Sequence, residues 1–200
     1  ELFRELSDVT LNDAVDSVCR LYAHYVDLLR NAGDAAADEL SLDTFYGWAD
    51  RILADFDDVD KNMADASQLF RNLEELKELD DMGFLDDAQK ELIGSFFSNF
   101  DPDHKSELRE RFRRLWNALL PLYRRLNAEL LAEGKAYEGA LYRRVVNALA
   151  EERCALPADV DCYAVVGFNV LDKAEQRLFE IMKKAGKARF YWDYDVYYAD

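Results

Sequence analysis

Residues 106–133, SELRERFRRLWNALLPLYRRLNAELLAE, place Leu108, Phe112, Leu115, Leu119, Leu122, Leu126 and Leu130 at three- and four-residue steps. That is the period of one helix face, so the stretch predicts a long amphipathic helix. Gly134 follows it, supplying the left-handed residue on which helices commonly end. Pro121 lies inside, lacks an N–H and crowds the preceding turn, so it predicts a kink or a split into two helices.

On either side of this stretch the same period recurs. Thr10 and Asp13 can cap a helix to about Arg30, with Leu11, Val15, Val18, Tyr22, Tyr25 and Leu29 on one stripe. Asn31 to Glu39, rich in Ala, Gly and Asp, is the best linker. A second helix begins near Ser41 or Asp43, buries Phe45, Trp48, Ile52 and Phe56, and is expected to dissolve in the acidic run Asp55–Asp60. Leu69, Leu73, Leu76 and Leu79 mark a third helix; Leu92, Phe96 and Phe100 mark a fourth that ends before Pro102. Tyr137 to Glu151 predicts one more.

The pattern changes after Pro157. Cys162 to Phe168 (CYAVVGF) is an uncharged, β-branched run of the kind buried on both faces of a parallel sheet. Leu171 to Ala185 is helical with Gly186 as its stop, and Ala188 to Trp192 is a second short strand. Strand, helix and strand in so short a span predict a βαβ unit. The expected fold class is therefore mainly α: a helical bundle followed by a small βαβ piece of a parallel α/β sheet. The expected segments are 1–40 (helix and linker), 41–155 (helical domain) and 156–200 (partial α/β unit).

Composition agrees. Twelve Phe, eleven Tyr and three Trp are incompatible with a disordered tail, and eight Gly with three Pro leave little for hairpin turns. Net charge is −16, which opposes binding to a polyanion. From Asp34 to Asp103 there are 20 acids against 5 bases; from Lys105 to Arg125, 7 bases against 2 acids. Such polarity suits a docking surface, but solvated helix faces give the same count. Cys19, Cys154 and Cys162 have no CxxC spacing and are odd in number, which argues against a disulfide framework or a zinc site and for a reducing, cytoplasmic setting. No run is long and apolar enough for a membrane span, and no signal peptide is visible. The chain opens at Glu1 without Met and stops at Asp200 without a helix cap, so both ends read as cut points in a longer protein.

Few residues offer chemistry. Asp58, Asp60 and Asn62 match the first three oxygen positions of a calcium loop, but Met63 stands where Gly is needed and Leu69 where a bidentate Glu is needed. Glu133-Gly134-Lys135 resembles half of a PD-(D/E)xK nuclease motif, yet it terminates a helix where that chemistry requires adjacent strands. His24 and His104 are far apart and have no Ser or Cys set for a triad. His24 is expected to pack beside the first helix stripe. The basic stripe Arg109, Arg111, Arg113, Arg114, Arg124 and Arg125 is the one nucleic-acid surface on offer, with Arg109, Arg113 and Arg124 on a shared face; the competing reading pairs these arginines with the chain's own acids. No catalytic residue, metal ligand or cofactor is expected.

The βαβ unit resembles that of a superfamily 1 helicase of the UvrD type. In that resemblance Tyr163–Asn169 takes the place of the Walker B strand, Lys173–Phe179 that of the next helix, and Phe190–Asp195 that of the second strand and its end. Gly167, Phe168 and Asn169 then stand where the Mg²⁺-binding Asp and the water-activating Glu would be, and no GxxxxGK[ST] loop occurs, so the resemblance implies an inactivated ATP site. Residues 45–60 (FYGWADRILADFDDVD), 69–73 (LFRNL), 136–143 (AYEGALYR) and 166–169 (VGFN) resemble AddB-like proteins, a PD-(D/E)xK nuclease family of Bacteroides-type bacteria, and the similarity extends over nearly the whole chain. It implies a helicase 1B-like helical insertion beside part of a 1A-like sheet. It also implies an exonuclease-subunit parent that processes double-strand DNA ends with an AddA-like helicase partner. The alternative is an acidic helical protein–protein interaction domain with no nucleic-acid role, displaying Tyr191, Tyr194, Tyr197 and Tyr198.

Overall fold

The computed structural model describes residues 2–70, 105–168 and 170–191, the stretch 105–113 by its backbone alone. The elements are α1 (Leu2–Glu5), β1 (Thr10–Leu11), α2 (Ala14–Asn31), α3 (Ala36–Glu39), α4 (Leu42–Lys61), α5 (Lys105–Ala132), β2 (Lys135–Ala136), α6 (Glu138–Ala150), β3 (Tyr163–Val166), α7 (Lys173–Lys184) and β4 (Ala188–Tyr191). A further helical stretch occupies 66–70. The chain is mainly helical, with two small parallel two-stranded sheets. Among the described residues no helix is long and apolar enough to cross a membrane. The expected helix at Leu73, Leu76 and Leu79, the one at Leu92, Phe96 and Phe100, and His104, Asn169, Tyr194, Tyr197 and Tyr198 lie outside the described residues.

Local chemistry sets the helix starts. Asp13 Oδ1 accepts the N–H groups of Val15 (2.8 Å) and Asp16 (3.1 Å), satisfying donors that the first turn leaves free. Ser41 Oγ does the same for Thr44 N–H at 3.2 Å. α7 opens with a reciprocal capping box: Glu175 N–H donates to Asp172 Oδ1 (2.7 Å) and Asp172 N–H to Glu175 Oε2 (3.1 Å). Replacing Asp172 by Ala is expected to lower stability by about 1 kcal/mol in urea unfolding, the usual worth of an N-cap.

Several expectations need correction. α5 runs through Pro121 as one helix and is not split. The linker contains α3, whose Ala37 is buried in the core beside α2. Leu11 belongs to β1, not α2, because Thr10 and Leu11 pair in parallel with Lys135 and Ala136. Val15 is exposed, since it precedes the turn at which the α2 stripe meets its neighbours. α4 does not dissolve at the acidic run but continues to Lys61. β3 is buried on one face only: Val165 is buried, while Ala164 and Val166 are exposed.

Two apolar clusters result. In the first, Leu21 and Tyr25 of α2, Phe45, Ile52 and Phe56 of α4, and Leu122, Leu126 and Leu130 of α5 pack together. In the second, Phe3 and Val9 join Leu141, Val145 and Val146 of α6 and Leu178 and Met182 of α7, over which β3 and β4 lie. α4 meets α6 where Gly139 approaches the Asp57 carbonyl.

Candidate functional site

The end of α4 organises the polar interior. Phe45, Ala49, Ile52, Phe56 and Val59 form the buried stripe of α4, and Asp60, four residues after Phe56, falls on that same face. Its side chain is 1% exposed. Asp60 Oδ1 accepts from Tyr123 Oη of α5 at 2.6 Å and pairs with Arg143 Nε of α6 at 2.9 Å. Asp60 Oδ2 accepts from Tyr137 Oη, at the start of α6. Asn127 Nδ2, one turn beyond Tyr123, donates to Tyr137 Oη at 2.9 Å and to Tyr123 O at 3.0 Å. Arg143 also donates to the carbonyls of Val59 (3.0 Å) and Ala64 (2.5 Å), which closes the backbone after α4.

Two neighbours extend the cluster. Asp57 Oδ1 accepts Gly139 N–H at 2.5 Å, capping α6 from another helix because Tyr137 offers no side-chain cap. Lys61 Nζ bridges Asp57 Oδ2 (2.8 Å) and Glu138 Oε2 (2.9 Å) and sits 5.6 Å from the centroid of the Tyr142 ring.

Burial pushes the Asp60 carboxyl up, against the hydrogen bonds of Tyr123 and Tyr137 and the charge of Arg143, which pull it down. Burial and the Asp60 carboxylate both drive the phenols of Tyr123 and Tyr137 up. The Tyr142 phenol is pushed up to about 12 by burial and by Glu138. A shallow depression of about 430 Å³, lined by Met63, Ala64, Ser67, Tyr123, Arg143 and Asn147 among others, opens beside the cluster.

Chemically, this cluster binds helices together. Both carboxylate oxygens of Asp60 are engaged, Oδ1 by Tyr123 and Arg143 and Oδ2 by Tyr137. The calcium-like spacing is not assembled as a loop: Asp58 is exposed, Asp60 points inward, and Asn62 Nδ2 donates to the Asp58 carbonyl at 2.9 Å. Met63 does take the left-handed conformation, with φ 54°. Among the described residues no group of three or more His, Cys, Asp or Glu could hold a metal ion. Gly134 has φ 68°, and Glu133 is held by Arg20 at 2.6 Å and Lys135 at 2.9 Å. His24 Nε2 lies 2.5 Å from Glu129 Oε2, between α2 and α5.

The basic residues of α5 face different neighbours. Arg114 pairs with Asp34 and Arg125 with Asp27, each at 2.5 Å, on the α2 side. Arg124 donates to Ser67 Oγ at 2.9 Å, on the side of 66–70. The side chains of Arg109 and Arg113 lie outside the described residues. At the carboxyl end of β3, Gly167 has φ 76° and Phe168 packs edge-on against Phe179 of α7 (5.4 Å between centroids). Gln176 Nε2 donates to Leu171 O at 2.9 Å, holding the loop between β3 and α7.

Asp57, Asp60, Asn127, Tyr137 and Arg143 do not stand out in the sequence as a site. The spacing of Asp60 from Phe56 and Ile52 is the available signal, hidden inside a run that reads as solvated acid. No family model, curated protein or solved structure matches the chain.

Proposed function

We propose that the chain is a non-catalytic structural and DNA-guiding module of an AddB-like helicase–exonuclease subunit, one that processes double-strand DNA breaks for recombinational repair beside an AddA-like helicase partner. One observation carries this reading. β3 and β4 are parallel and joined through α7, and Gly167 and Phe168 occupy the strand end where a helicase ATP site needs carboxylates. Without those acids, neither Mg²⁺ placement nor activation of the attacking water has its usual agent. The Asp60 cluster supports a scaffolding role, because it directs a carboxylate that is 1% exposed at the chain's own helices.

DNA guiding falls to Arg109, Arg113, Arg114, Arg124 and Arg125. The pairs of Arg114 and Arg125 are with partly exposed acids, so phosphate can compete for them at low salt. Changing the five arginines to Glu in the assembled helicase–nuclease complex is expected to weaken DNA binding for all sequences alike. The slope of log affinity against log salt should fall by about 1 for each phosphate no longer neutralised. Unchanged DNA binding by that complex removes the DNA-guiding half of the reading, and failure of the chain to capture the helicase partner removes the rest.

A second reading, an acidic protein–protein interaction domain, is favoured by the apolar surface of Val166, Phe168, Val170 and Tyr191. Co-purification of a stoichiometric partner that is not a helicase would select it.

A further inference from the structure

We infer that the outer face of α7 is a phosphate-binding surface, on which Lys173, Arg177, Lys183 and Lys184 meet the backbone of a nucleic-acid duplex without reading its sequence. The inference adds to the arginines of α5 and stands whichever parent protein the chain comes from.

The helix period makes the face. α7 buries Ala174, Leu178 and Met182, so its opposite side carries Lys173, Arg177, Glu180 and Lys184, with Lys183 on the flank. All five of these charged residues are exposed. The acids of the first turn are withdrawn from the face, because Asp172 and Glu175 hold one another in the capping box. Locally the charge balance is reversed: residues 173–189 contain six bases and two acids, in a chain of net charge −16. Two of the six lie apart from the face. Lys187 donates to the Pro157 carbonyl, and Arg189 points away from α7 because its neighbour Phe190 packs on Phe179.

These charges are also uncompensated. Among the described residues Lys183 and Lys184 have no ion pair, and Lys173 Nζ donates to the neutral Gln176 Oε1 at 3.1 Å. Arg177 reaches Glu180 at 3.7 Å, with both side chains more than half exposed. The helix dipole accounts for Lys183 and Lys184 in the last turn. It does not account for Lys173, the first residue of α7, where the dipole disfavours a cation.

Charge and shape choose the partner. The apolar side of α7 is buried in the chain's own core, so the helix cannot lay it into a lipid surface. The basic face has no aromatic or aliphatic anchor of the kind that centres a protein interface, and no ring on which an unpaired base could stack. A duplex backbone is the partner that charge alone can hold. Lys173 to Lys184 spans about 16 Å along the helix, roughly the length over which one strand presents five phosphates.

Fluorescence anisotropy of a labelled mixed-sequence duplex titrated with the full chain tests this. Binding is expected at about 50 mM salt and should weaken about a hundredfold by about 200 mM, as four phosphate contacts require. Lys173→Gln, Arg177→Gln, Lys183→Gln and Lys184→Gln together should weaken binding at least about tenfold and flatten the salt dependence, with helical circular dichroism unchanged. Lys173→Gln alone should lower affinity while raising the unfolding temperature, a pairing that a merely structural lysine would not give. Arg124→Gln with Arg125→Gln reads the α5 surface separately and should leave binding through α7 in place. No duplex binding at low salt, binding that survives the four substitutions, or equal capture by phosphatidylserine vesicles or polyglutamate overturns the inference.

Discussion

Gly139→Ala is expected to be among the most damaging single-methyl changes in this protein, lowering stability by about 3 kcal/mol in denaturant unfolding. A Cβ at Gly139 would stand 2.3 Å from the backbone oxygen of Asp57 and 3.0 Å from its carbonyl carbon. Backbone atoms cannot rotate away, so α4 and α6 must separate. Separation also breaks the 2.5 Å bond from Gly139 N–H to Asp57 Oδ1. Against this stands a helix-propensity gain of about 1 kcal/mol for Ala over Gly, too small to win. Gly47 is the control. It lies within α4 with nothing within 4 Å of its would-be Cβ, so Gly47→Ala should keep the propensity gain and stabilise. Equal effects at the two positions would show that α4 and α6 do not approach closely.

Arg143→Ala is expected to lower stability by about 3 kcal/mol, the lower end of what losing one partner of a buried ion pair costs. The lower end applies because Arg143 keeps 23% of its side chain exposed while Asp60 keeps 1%. The loss combines an uncompensated Asp60 carboxylate with the freed carbonyls of Val59 and Ala64. Tyr123→Phe and Tyr137→Phe should each cost about 1 to 3 kcal/mol, because each strips one hydrogen bond from a carboxylate that water cannot reach.

The pH dependence follows from the same groups. The folded state holds the phenols of Tyr123, Tyr137 and Tyr142 neutral beyond their ordinary value of 10.0. Their contribution is complete below pH 10 and is lost as pH rises above it. The carboxylates of Asp8, Asp16, Asp34 and Glu138 are lowered by Arg144, Asn12, the Ala36 N–H and Lys61 respectively. Their contribution is present above about pH 4 and is lost as pH falls below it. Asp60 runs the other way: its raised carboxyl favours the fold as pH drops, which blunts acid unfolding. Removing Tyr123 and Tyr137 together should therefore flatten the alkaline limb of the stability profile, and, by removing two hydrogen bonds that hold the Asp60 carboxyl down, should make the stabilising protonation of Asp60 begin at higher pH.

The longer described helices are largely legible in the sequence because each carries its own apolar period. α5 follows from seven apolar residues on one face, and the caps Asp13 and Ser41 lie where the polar residue before each stripe puts them. The parallel β3–α7–β4 unit is legible from a β-branched run and a stop at Gly186. What escapes are the non-local features. β1 and β2 are two residues each and pair Thr10 with Lys135; neither has a period to detect. The acidic run hides two kinds of residue under one composition, Asp58 facing solvent and Asp60 facing α5 and α6, and only the helix continuing past Asp55 separates them. The outward exposure of Val166 is also invisible, since an apolar run states that a strand prefers cover, not whether cover is present.

A double-mutant cycle between Asp60 and Arg143 measures whether this buried carboxylate ties α4 to α6. Asp60→Leu and Arg143→Met, each destabilising alone, are expected together to cost less than the sum of the two, with a coupling energy above about 2 kcal/mol. Strictly additive losses would mean that Asp60 does not join the two helices, and the scaffold described above would not hold.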